Sequence, residues 1–191
     1  MISFLTQFYL WQHRFQLKLG HLVAWGTLLL VLVTALVVIL RYGFNTGSIA
    51  LQESILYIHA TVFMLGISYT YNQDRHVRVD VFYANASERK RHWINLLGNL
   101  FFALPTLAFI LWIGWGYVSA SWAIHETSTE ASGLGYVYLL KTLILIMPIL
   151  MILQVLGQMV YQGFVLFKPE VAEQLKAATQ PSDINEQEAT V

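Results

Sequence analysis

Three ionisable side chains stand inside otherwise apolar stretches of this chain: Glu53, His59 and Lys141. Charged or titratable groups at such depth are expensive, so each implies a specific use. A histidine could ligate haem iron. A carboxylate could hold a proton or a sodium ion. A lysine could meet an anion or a counterion. Haem held by two histidines needs a second His at matching depth on another span. His21, His92 and His125 lie at or beyond span ends, and His13 and His76 lie outside them. The favoured reading of His59 is therefore a buried histidine bonded to a neighbour, with no cofactor and no metal. One carboxylate does not make an ion pathway, so Glu53 is read as one member of a structural pair. With spans starting at about Thr46 and Leu134, Glu53 and Lys141 each lie seven positions inside, ~10 Å at 1.5 Å per residue. Matching depth predicts a pair between them, or two counterions on a partner. There is no cysteine, which removes disulfides and thiol chemistry. No phosphate loop, zinc-protease motif or nucleophile elbow occurs.

The elements that would carry these residues are membrane spans. The chain of 191 residues is 57% hydrophobic and 12% charged. Soluble domains hold about 25% charged residues. The net charge is zero, so nothing suggests nucleic acid. Four stretches reach the ~20 apolar residues that a crossing helix needs, at about 21–43, 47–72, 92–124 and 134–167. The first is too long for a signal-peptide core, and Arg41-Tyr42-Gly43-Phe44-Asn45 after it is no cleavage site. Pro105 and Pro148 should kink spans three and four. Gly98, Ala103, Ala108, Gly114, Gly116, Gly157 and Gly163 are candidates for close helix contact. Residues 1–20 space Leu5, Phe8, Phe15 and Leu19 at helical intervals, with Gln12, Arg14, Gln16 and Lys18 between them. That predicts an amphipathic helix lying in the membrane interface. Residues 169–191 are polar and acidic and read as a disordered tail.

Orientation follows from the cations. Arg14, Lys18, Arg75, Arg78, Arg89, Lys90, Arg91, Lys168 and Lys176 fall on one side, against Arg41 and Lys141 on the other. Nine against two puts both termini in the cytoplasm. The basic run between spans two and three could hold lipid phosphates.

Several short patterns, in order along the spans, resemble the small membrane subunit (DctQ-like) of tripartite ATP-independent periplasmic, or TRAP, transporters. They are Arg41-Tyr42-x-Phe44-Asn45, Glu53, and His76-Val77-Arg78-Val79-Asp80 beside Arg75. Ser121-Trp122, Glu126-x-Ser128, Gly133-Leu134, Lys141, Pro148 and Leu153-Gln154 follow. The second set is most similar to the mannitol, chloroaromatic and 2-oxoacid branch. The resemblance covers roughly residues 20–160. It implies an all-α integral membrane protein of four transmembrane helices, with an interfacial arm and a short interfacial helix near Ala84 to His92. It also implies a large multi-span partner, a periplasmic substrate-binding protein and sodium-driven uptake of an organic anion at the bacterial inner membrane. Arg41, Glu53, Arg75, His76, Arg78, Asp80, Glu126, Ser128 and Lys141 become the candidate partner-interface or structural residues. The chain would be no enzyme. A haem-binding anchor for a redox enzyme is the alternative, and a self-sufficient small channel or exporter a third reading.

Overall fold

The computed structural model describes residues 2–75, 83 and 86–179. Its elements are α1 (Ile2–Gly43), α2 (Ile49–Asn72), α3 (Glu88–Gly98), a π-helical turn (Asn99–Ala103), α4 (Leu104–Ala123), α5 (Val137–Phe167) and α6 (Pro169–Thr179). Among the described residues four stretches are long and apolar enough to cross a membrane: Ile2–Gly43, Ile49–Asn72, Glu88–Ala123 and Val137–Phe167. The protein is an all-α integral membrane protein.

Helix ends are set by local chemistry. Ser48 caps α2 by accepting a hydrogen bond from the Leu51 N–H at 3.3 Å. Asn45, Asp74 and His125 carry positive φ of 50°, 55° and 48°. These residue types tolerate the left-handed region, where a helix can be closed. Behind Asp74 the Arg75 N–H reaches the Thr70 carbonyl at 3.1 Å, and behind His125 the Glu126 N–H reaches that of Ser121 at 3.0 Å. Asn45 therefore gives the first of the quoted patterns a backbone reason: it turns the chain out of α1.

Three expectations are corrected. The arm and span one are a single 42-residue helix, because nothing between residues 2 and 43 breaks it. The helix expected near Ala84 to His92 begins at Glu88 and runs into span three. Residues 169–179 are not a disordered tail but helix α6, whose Ala172 and Leu175 bury against Tyr9 and Phe164. Two apolar residues three apart in a polar segment were enough to dock it. Residues 180–191 lie outside the described ones.

The kink expected at Pro105 takes the form of the π-helical turn just before it. Pro105 has no N–H for the Phe101 carbonyl, and a wider turn accommodates that loss. Pro148 is buried inside α5.

Helix α5 is the hub. Among the described residues it packs against α1, α2, α3, α4 and α6, whereas α4 packs only on α5 and the π-helical turn. α1 packs along α2, with Gly26 against Val62 and Val23 against Gly66; the half-buried Val23, Gly26, Leu30, Val33, Val37 and Leu40 recur every three and four residues, the spacing of a single helix seam.

Candidate functional site

Polar side chains gather at two places. The first is the end of the bundle that carries the loop between α4 and α5. Glu53 lies one turn inside α2, where a carboxylate also suits the positive helix end. Its Oε1 accepts the hydroxyl of Ser128, and its Oε2 accepts the Leu134 N–H at 2.5 Å. The Ser128 N–H donates to the Leu134 carbonyl at 3.1 Å, and the Ser128 hydroxyl accepts the Glu130 N–H at 3.1 Å. One carboxylate thus closes a ring of bonds that ties the loop to a helix α4 never touches. A Cβ on Gly133 would run into the Ser128 hydroxyl and come within 2.7 Å of Glu53, which explains Gly133-Leu134 physically.

Lys141 lies one turn inside α5, where a cation opposes the helix dipole. Its Nζ meets Glu126 Oε2 at 2.5 Å and stands 4.1 Å from the Tyr117 ring centre. That hydrogen bond holds the Glu126 carboxyl below its usual range. The expected Glu53–Lys141 pair is therefore absent. The two depths match as reasoned, but both helices start three residues later than assumed, at Ile49 and Val137. Each charge is then within reach of the loop, and the loop supplies its partner.

The second gathering joins α1, α2 and α5 toward the opposite end. Gln12, Gln16, Ser68 and Gln154 are all at most 1% exposed. Gln12 Nε2 donates to Gln154 Oε1, and Gln154 Nε2 donates to Asn72 Oδ1 at 3.2 Å. His13 Nδ1 also lies 3.1 Å from Asn72 Oδ1. The Ser68 hydroxyl donates to Gln16 Oε1 at 2.9 Å. Nearby, the Tyr71 hydroxyl donates to Asn99 Oδ1 at 2.6 Å, and His92 Nδ1 lies 2.5 Å from Gln162 Oε1. Gly157 makes room for this seam, since a Cβ there would lie 2.6 Å from Gln12 Oε1.

Sequence reasoning missed the seam because it placed Gln12 and Gln16 on a solvated face. In lipid the polar stripe marks the inside, since the surroundings are as apolar as the core. The spacing of Tyr9, Gln12, Gln16 and Gly20 was the available signal; all four are buried in α1.

Of the other candidate residues, Arg41 is exposed in the last turn of α1, and Arg75 is exposed after α2. His76, Arg78 and Asp80 lie outside the described residues. His59 is not buried: it faces outward beside Phe63, with ring centres 6.4 Å apart. Gly114 and Gly157 are close contacts as expected, but a Cβ on Gly98, Gly116 or Gly163 would meet nothing within 4 Å. Gly20 and Gly26 in α1 are close contacts that were not foreseen; a Cβ there would strike Tyr69 and Val62.

What fold and site define together is a multi-pass membrane component whose intramembrane polar groups serve mainly to join its own helices. A family model described as tripartite ATP-independent periplasmic transporters, DctQ component, matches residues 30–164, and the chain belongs to that family. It is a transporter component and not an enzyme. No curated protein and no solved structure matches it.

Proposed function

We propose that this chain is the small permease subunit that scaffolds a large transport subunit. The assembly takes up an organic anion, coupled to sodium and fed by a periplasmic binding protein. The scaffold lies in a bacterial inner membrane with both termini cytoplasmic. Family membership supports the assembly, and nine cations against two support the orientation.

One observation carries the scaffold reading: the buried amides of the spans bond to one another and to a backbone carbonyl, as in Gln12–Gln154–Asn72 and Ser68–Gln16–Leu150. An anion carrier needs cations or open helix ends near the bilayer midplane. Here Lys141 is committed to Glu126 near one end. The test uses proteoliposomes under a sodium gradient. Uptake is expected only when this chain, the large subunit and the binding protein are all present. Uptake by this chain alone would overturn the scaffold reading. Reporter fusions after Ser87 and after Lys176 should read as cytoplasmic and one at Thr129 as periplasmic; the reverse pattern would invert the orientation.

A further inference from the structure

His59 stands ten residues after Ile49 in a 24-residue span, ~15 Å along the helix axis. That is close to the middle of a hydrocarbon core ~30 Å thick. Its side chain is exposed, and among the described residues neither ring nitrogen takes part in a hydrogen bond. Other polar groups on the outer faces of the spans behave differently. Thr27, Thr34 and Thr61 turn their hydroxyls back to the carbonyls of Val23, Leu30 and Tyr57. His59 makes no such bond to its own helix. Lipid cannot supply a partner at this depth, since ester and headgroup oxygens lie at the membrane boundaries and the hydrocarbon holds no water.

The surroundings of His59 are shaped for a helix. Gln52, Leu56, His59 and Phe63 are exposed at intervals of four, three and four residues, a single stripe along α2. Beside it, between α1 and α2, runs an apolar groove of ~500 Å³ lined by Gly20, Val23, Val62, Phe63, Gly66 and others. The glycines are filled from within, Gly20 by Tyr69 and Gly66 by Val23, so the groove offers an apolar trough for the side chains of a neighbouring helix. The outer face of α4 presents Phe109, Trp112, Ile113 and Trp115 instead, side chains at ease against lipid.

We propose that the α1–α2 face centred on His59 seats a transmembrane helix of the companion large subunit, and that this helix brings a hydrogen-bonding group to His59 at mid-membrane. The assignment of a face rests on the scaffold reading above and goes beyond it. The stripe supplies the apolar contact, and His59 sets the register.

The experiment uses the intact complex in native membranes. Photoreactive benzoyl-phenylalanine is placed at Leu56, Phe63, Phe109 or Ile113, one site at a time. Leu56 and Phe63 should crosslink to the large subunit, and the α4 sites should give lipid adducts only. In detergent pull-downs His59→Leu should retain about threefold less large subunit, the size of an average interhelical hydrogen bond, while His59→Gln should restore most of it. Crosslinks from Phe109 or Ile113 with none from Leu56 or Phe63 would overturn the choice of face while leaving the scaffold reading intact. Crosslinks from Phe63 to a second copy of this chain would do the same. Failure of all four sites together with loss of copurification in the unmodified protein would bring down the scaffold reading itself.

Discussion

The loop end of the bundle is fastened by charges and the arm end by amides. Glu53 grips Ser128 and Leu134, and Lys141 grips Glu126, within one turn of the starts of α2 and α5. Toward the other end Gln12, Gln16, Ser68, Asn72 and Gln154 join three helices with no formal charge. The two chemistries suit their depths. A charge near water can be half-exposed, as Glu126 is with 31% of its side chain accessible. A fully buried group is cheaper neutral, because desolvating an ion costs far more than desolvating an amide. The charged end holds a loop in place, and the neutral end holds helices in register.

The strongest way to break the neutral seam is to fill its one gap. Gly157→Val should push Gln12 out of its bonds and destabilise the protein by ~3 kcal/mol, combining overpacking with an unmet buried amide. Thermal denaturation in detergent checks this. Gly163→Ala is the control, because a Cβ there meets nothing within 4 Å, and it should change stability by less than about 1 kcal/mol.

Removing one partner should cost less than that. Gln154→Leu leaves the Gln12 amide without its partner and Asn72 Oδ1 with His13 alone, and should cost ~2 kcal/mol. Adding Gln12→Leu should recover part of the loss, since two apolar side chains facing each other leave fewer orphaned groups. A double variant worse than the single one would contradict the seam.

At the charged end the effect should be local. Glu53→Ala releases the Ser128 hydroxyl and the Leu134 N–H, and amide exchange across residues 126–134 should speed up while helix α5 below it stays protected. Global stability should change little, because the freed groups can reach water.

The smallest effect separates the ends by pH. The Lys141 hydrogen bond lowers the Glu126 carboxyl below its ordinary 4.5. A depressed carboxyl stabilises the folded loop above the unfolded value and loses that contribution as pH falls through the folded one. Loop exchange should therefore rise below about pH 4.5, and Glu126→Gln should remove part of that rise, the Glu53 carboxylate still holding Ser128 and Leu134. The amide seam does not titrate, so its protection should not follow the same curve.

The presence of four spans and the resemblance to the small transporter subunit could both be read without coordinates. Long apolar runs have few alternative explanations, and short patterns in fixed order identify a family. The matching depth of Glu53 and Lys141 was legible for the same reason, since position along a helix is a matter of counting. Their partners were not. A loop's path is decided by bonds such as Ser128 to Glu53, between residues 75 apart in the chain, and counting along helices does not reveal it. The inward direction of α1 was also hidden, because an apolar stripe in a membrane marks lipid and core alike. Only packing shows that Gln12 and Gln16 point inward and that His59, the most conspicuous polar residue of span two, points out.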